Sequence, residues 1–131
     1  MGKYEDTLKD IRETLGIVPG FMKALPRDAL VNEWPNFRKY QLEESVIPNK
    51  YRELIGLAVA ASIKCPYCQL FHTGAAKMNG ATDEELAELA VLASLTTRWS
   101  TILHAQHYDY NVFMKETEEI GTHLQRMAGR K

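Results

Sequence analysis

Apolar residues recur along the chain at intervals of three and four, and no alternation of apolar and polar positions persists long enough to make a strand. Leu8, Ile11 and Leu15 share one face of a first predicted helix over residues 3–15, which Gly16 ends. Pro19-Gly20 begins a short second element through Leu25. A third helix runs from Pro26 or Arg27 to Glu44, with a kink or split predicted at Trp34-Pro35. Pro48 takes the first turn of a fourth helix over residues 48–63, where its missing N–H costs nothing. Leu54, Ile55, Leu57, Ala58, Val59, Ala60, Ala61 and Ile63 make that helix apolar nearly all round, which predicts a central buried element. Pro66 opens a fifth helix and Asn79-Gly80 closes it. Thr82-Asp83-Glu84-Glu85 is a capping box at the head of a sixth, which carries Leu86, Leu89, Leu92 and Leu95. After Trp99-Ser100 a last long helical pattern runs to the carboxyl end, with Gly121 a potential break. The expectation is an all-α chain of six to seven helices forming one domain over residues 1–131, without linker or internal repeat.

Composition narrows the function classes. The chain has 131 residues, and 16 Lys and Arg balance 17 Asp and Glu to a net charge of -1. Without a basic excess, binding to nucleic acid through phosphate contacts is not expected. Apolar runs fall short of the roughly 20 residues that span a bilayer, so no membrane partner is expected. Met1-Gly2-Lys3-Tyr4-Glu5-Asp6 has neither the apolar stretch of a signal peptide nor a Ser or Thr at position 6 for myristoylation. Two cysteines are too few for a disulfide-stapled scaffold. A cytoplasmic location is the expectation.

Chemistry concentrates in Lys64-Cys65-Pro66-Tyr67-Cys68-Gln69-Leu70-Phe71-His72. Both cysteines lie here, at the start of a predicted helix, where unpaired N–H groups and a partial positive charge favour a thiolate. His72 follows Cys68 by four residues, so imidazole and thiol share a helix face. Glu53 lies twelve residues before Cys65 on the most apolar helix, where a carboxyl group must be paired, hydrogen-bonded or functional. A helical hairpin would let it approach the Cys68–His72 face. The residues alone split on which cysteine attacks: the helix dipole favours Cys65, the histidine one turn on favours Cys68.

Blander readings compete. Cys65, Cys68 and His72 supply three zinc ligands, with Glu53 or another chain as a fourth, but a structural site wants four and no second CxxC exists. Two inert buried thiols are a further option. His104 and His107, with Asp109 nearby, lack a further ligand of telling spacing and read as packed or partly exposed; His107 stays a weak site candidate. Trp34, Phe37, Tyr40, Trp99 and Phe113 read as core or subunit-contact residues. Glu116, Glu118 and Glu119 read as a solvated face, and Phe21 and Met22 either line an entrance or cover the core.

Glu53, then Cys65-Pro66-Tyr67-Cys68, then His72 resembles the Glu…Cys-x-x-Cys-x-x-x-His signature of the AhpD-like alkylhydroperoxidases, of the carboxymuconolactone decarboxylase superfamily. The match is strongest over residues 48–96. The resemblance implies an all-α AhpD-like fold assembled as a trimer or hexamer. It also implies a peroxidatic Cys68, a resolving and proton-donating Cys65, and a proton relay of Glu53 and His72. It settles the attacking sulfur as Cys68. One departure stands out: Tyr67 occupies the position where peroxidases of this group carry a further histidine, and a phenol is a poor proton acceptor near neutral pH. The expected substrate is a hydroperoxide or a disulfide, and no cofactor is needed for the step. No GxGxxG occurs, so reducing equivalents must come from a thioredoxin-like or lipoyl dithiol. The alternatives are a lyase acting on a cyclic lactone acid, which need not use cysteine, and a non-enzymatic redox- or metal-responsive protein.

Overall fold

The computed structural model describes residues 2–130. Among them are seven α-helices and one π-helical segment, and no strand: α1 (Lys3–Leu15), α2 (Gly20–Lys23), α3 (Arg27–Phe37), the π-helical segment Arg38–Leu42, α4 (Asn49–Ile63), α5 (Pro66–Met78), α6 (Asp83–Ala105) and α7 (Tyr110–Ala128). The chain divides into two compact units, one up to Leu86 and one from Ala87 onward.

In the first unit, α1, α2 and α3 enclose a small core of Ile11, Val18, Met22, Leu30 and Trp34, flanked by Tyr4, Leu8, Leu15, Phe37 and Leu42. Gly16 adopts φ 85° and returns its N–H to Arg12 O, a conformation that favours glycine, and this turns the chain out of α1. Asp10 ties α1 to α3: Trp34 Nε1 donates to its Oδ2 at 2.6 Å, and Arg38 Nη1 donates to its Oδ1 at 2.6 Å. The Trp34 hydrogen bond, helped by Arg38, holds the Asp10 carboxyl below the usual carboxylate range. Asp10→Ala is therefore expected to lower unfolding stability by about 1–2 kcal/mol, the cost of freeing the Trp34 donor and of a half-exposed ion pair. Because the folded carboxyl is depressed, its contribution is present at neutral pH and disappears as pH falls through the depressed value. Urea unfolding of both proteins at pH 7 and pH 3 checks this: the gap must narrow at the lower pH.

Several boundaries differ from the sequence expectation. Pro35 does not split α3; the helix runs through it, because Trp34, Phe37 and Arg38 on either side are held by Asp10 and by a Trp34–Phe37 stack with ring centroids 5.8 Å apart. The irregularity falls just beyond, where the backbone widens to the π pattern and Glu43 N–H bonds Arg38 O. The fourth helix is not buried all round either. Only Glu53 and Ala60 on α4 are buried, and Ile55, Val59 and Ile63 are 53%, 54% and 64% exposed, since α5 and the π-helical segment cover only part of α4.

The capping box at α6 forms as expected, with Glu85 N–H bonding Thr82 Oγ1 at 3.0 Å and Thr82 N–H bonding Glu85 Oε1 at 2.9 Å. In the second unit α6 continues through Trp99 and Ser100 to Ala105. The hydroxyls of Thr96, Thr97 and Thr101 fold back onto carbonyls of the preceding turn and leave the helix intact. The break comes at 106–109, where His107 takes φ 50° and Asp109 caps α7 by accepting Val112 N–H. Gly121 lies inside α7 and breaks nothing. Trp34, Phe37 and Met22 are core residues, whereas Phe21, Tyr40, Trp99 and Phe113 are exposed on this chain.

Candidate active site

Helices α4 and α5 form a hairpin, and its corner makes the site. Lys64 takes the left-handed conformation, φ 60°, its N–H reaching Ala61 O while Cys65 N–H reaches Ala60 O at 3.0 Å. This is a Schellman closure of α4. Cys65 is at once the N-cap of α5: its Sγ accepts Cys68 N–H at 3.3 Å, and Pro66 fills the first helical position. One residue thus ends a helix and starts the next, leaving its sulfur among the free N–H groups of a helix start.

The two thiols are reduced and hydrogen-bonded to each other, Sγ to Sγ 2.9 Å. They are not equivalent. Hydrogen bonds from the Cys68 side chain and then from Cys68 N–H hold the Cys65 thiol below its ordinary range. Cys68 is pushed up, first by its hydrogen bond to Cys65 and then by burial. Of the two, Cys65 is the sulfur that gives up its proton more readily.

The hairpin also brings Glu53 and His72 together. Glu53 is 2% exposed, and its Oε2 lies 2.7 Å from His72 Nδ1. A buried carboxylate on an apolar helix is tolerated because this partner satisfies it. With Nδ1 engaged, Nε2 is the nitrogen left for chemistry. Phe71 meets the imidazole edge-on, at a centroid distance of 5.3 Å. On its other side the ring rests on bare backbone at Gly56, where a Cβ would fall 2.5 Å from Cε1.

Cys68 and His72 line one cleft of about 360 Å³. Its walls are Ile55, Val59, Ala60 and Ile63 of α4 and, opposite, Tyr40, Gln41 and Ile47 from the segment that precedes α4, with Arg52 between them. Such a site suits attack by a sulfur on an apolar molecule that carries one polar reacting group. Tyr67 points away into solvent, 84% exposed.

The four residues singled out from the sequence form two pairs, Cys65–Cys68 at the hairpin corner and Glu53–His72 further along it, and Cys68 and His72 line the same cleft. Two further residues shape the site without having been singled out from the sequence: Gly56, three residues after Glu53 on α4, and Arg52 with its facing segment. Glycine in an otherwise apolar helix was a signal for close approach; nothing in the sequence pointed to Arg52. His104 and His107 line a separate hollow of about 330 Å³ in the second unit, with Leu103, Tyr108, Tyr110 and Phe113. Among the described residues no group of three or more His, Cys, Asp or Glu side chains is arranged to hold a metal ion.

An all-helical unit presenting a Cys-x-x-Cys hairpin beside a buried Glu–His pair defines an AhpD-like protein. Residues 28–108 match the carboxymuconolactone decarboxylase family, and the chain belongs to it. The crystal structure of the alkylhydroperoxidase AhpD core from Rhodospirillum rubrum superposes with a TM-score of 0.70 and 27% identity, covering 86% of both chains. An uncharacterized protein of Cupriavidus necator is 33% identical over 64 residues, 49% of this chain. The chain spans 57% of the length of that relative.

Proposed function

We propose that the protein is a dithiol oxidoreductase that reduces hydroperoxides or disulfides by cycling between the Cys65/Cys68 dithiol and their disulfide. The observation that carries this reading is the pair of thiols 2.9 Å apart, one of them opening on an apolar cleft beside a buried Glu53–His72 pair. In its thiolate form Cys65 takes the proton of Cys68 across the contact between the two sulfurs, and the Cys68 thiolate so formed attacks a peroxide oxygen. An S–O bond forms and the O–O bond breaks, giving Cys68 sulfenic acid. The departing alkoxide takes the proton now on Cys65 and leaves as an alcohol. Cys65 thiolate then attacks the Cys68 sulfur and displaces hydroxide, which leaves as water with a proton relayed from solvent through the Glu53–His72 pair. The disulfide is restored to two thiols by exchange with an external dithiol, of thioredoxin-like or lipoyl type, which is itself oxidised.

With a disulfide substrate the Cys65 thiolate attacks directly and Cys68 resolves the mixed disulfide. The exposed apolar rows of this chain favour a homo-oligomer, a trimer or hexamer, and two free thiols suit a reducing compartment such as the cytoplasm. No helix among the described residues is long and apolar enough to cross a membrane.

Titration of free thiols in fully reduced protein, before and after one equivalent of hydrogen peroxide, tests the cycle. Both thiols of each chain are expected to disappear together and to return on adding a dithiol. Two thiols that persist after peroxide, yet react fully with the titrant in the native protein, would sink the peroxidase reading and leave disulfide substrates to be tried.

A further inference from the structure

The segment facing α4 across the cleft is held in an unusual way. A π-helical turn and the loop after it leave several carbonyls without intrahelical donors, and such groups must be satisfied. Here one side chain serves them. Arg52 Nη1 donates to Lys39 O, at 3.2 Å, and to Tyr40 O; Nη2 donates to Glu43 O and to Asn49 Oδ1. Arg52 Nε is shut off from solvent and has no partner. Asn49 Nδ2 adds a bond to Leu42 O at 3.3 Å, at the end of the π turn. Among the described residues no carboxylate is a partner of Arg52, so the guanidinium acts here as a fork of donors more than as one half of an ion pair.

We infer that Arg52 is the positioning residue of the cleft: by clamping the carbonyls of residues 39, 40 and 43, it holds Tyr40, Gln41 and Ile47 as the second wall opposite Ile55 and Val59, and so sets the preference of Cys68 for partners with an apolar group. This rests on the reading of Cys68 as the sulfur that meets the substrate. Arg52 itself touches no reacting atom. Its neighbour in sequence, Glu53, turns to the other side and serves His72, so two consecutive residues of α4 support the two halves of the site.

The geometry of the clamp separates fork from charge. Lysine keeps the positive charge but offers its donors from a single point, which does not reach acceptors spread over residues 39–49. The test uses Cys65→Ser protein, in which Cys68 is the one remaining thiol, and two reagents of the same chemistry, N-benzylmaleimide and N-methylmaleimide. The ratio of their rates with the folded protein, divided by the ratio for the urea-unfolded chain, measures apolar selection by the cleft. That quotient is expected to exceed one and to fall about fivefold in both Arg52→Lys and Arg52→Met, what about one hydrogen bond's worth of wall order amounts to. Circular dichroism of each variant confirms that its helices remain. Asn49→Ala, which removes one acceptor of the clamp and the tie to Leu42 O, is expected to move the quotient the same way by less, and it carries the test alone if the Arg52 variants do not fold. A quotient unchanged in Arg52→Met or in Asn49→Ala overturns the inference. So does an Arg52→Lys protein that matches wild type, because charge and not the fork would then be at work. A folded Cys65→Ser protein with a quotient of one would remove the selecting cleft itself. None of these readings involves peroxide, so failure of the peroxidase cycle registers separately, in the thiol titration above.

Discussion

Cys68→Ser is expected to remove peroxide-dependent turnover, a loss of about 10³-fold or more, because no other group in the cleft can form the bond to oxygen. Cys65→Ser should behave differently. The Cys68 sulfur still faces the cleft, so one equivalent of peroxide is consumed and a sulfenic acid accumulates in place of a disulfide. Mass spectrometry after treatment with a sulfenic-acid trap separates the two variants: one labelled residue in Cys65→Ser, none in Cys68→Ser. The pH behaviour supplies a second check. Cys65 is held low by its bonds from Cys68, so it carries thiolate at lower pH than Cys68 does, and iodoacetamide should modify Cys65 first as pH rises from 6. Cys68→Ala deletes the side-chain donor, the first of the causes that lower Cys65, and its pKa should climb. At a fixed pH near 7 the Cys65 alkylation rate then falls. An unchanged rate would mean that the helix start alone sets the thiolate, and that the 2.9 Å contact between sulfurs contributes nothing to it.

Most of the fold could be read from spacing and punctuation, and the places where it could not share one physical cause. Helix ends marked by a residue with its own backbone chemistry were legible: Gly16 with positive φ, Pro48 and Pro66 at helix starts, and the Thr82–Glu85 box. Where long-range packing decides the backbone, local signals misled. Pro35 looked like a break, but Asp10, twenty-four residues before Trp34, anchors the helix across it. Trp99-Ser100 looked like a stop, yet α6 runs on, with the hydroxyls of Thr97 and Thr101 bonded back inside it. The site followed the same division. Cys65, Cys68 and His72 lie within eight residues on one helix start, and their relation follows from the 3.6-residue turn. Glu53 reaches them only through the hairpin, which apolar patterning made reasonable but did not demand. The Arg52 clamp depends on a π turn, and no residue pattern announces that.

The largest effect on stability is expected from His72→Leu. It leaves the Glu53 carboxylate, 2% exposed, without its 2.7 Å partner on the most apolar helix of the chain. An uncompensated buried charge costs about 3–5 kcal/mol. Glu53→Leu by itself leaves an imidazole that is 14% exposed, and this should cost less. The double variant, Glu53→Leu with His72→Leu, should recover much of the loss, because two apolar side chains replace a pair whose desolvation offset most of its attraction. Urea unfolding of the four proteins at one protein concentration closes this cycle. The expected coupling is about 2 kcal/mol, well outside the scatter of independent sites. Activity should not recover with stability. If His72 relays protons as proposed, its loss costs about 10²–10⁴-fold, and the stable double variant stays as slow as His72→Leu. That separation is the informative outcome, since a pair kept only to satisfy a buried carboxylate would let activity return with the fold. Additive stabilities in the cycle would instead mean that Glu53 finds another partner once His72 is gone, and the hairpin would not need the pair at all.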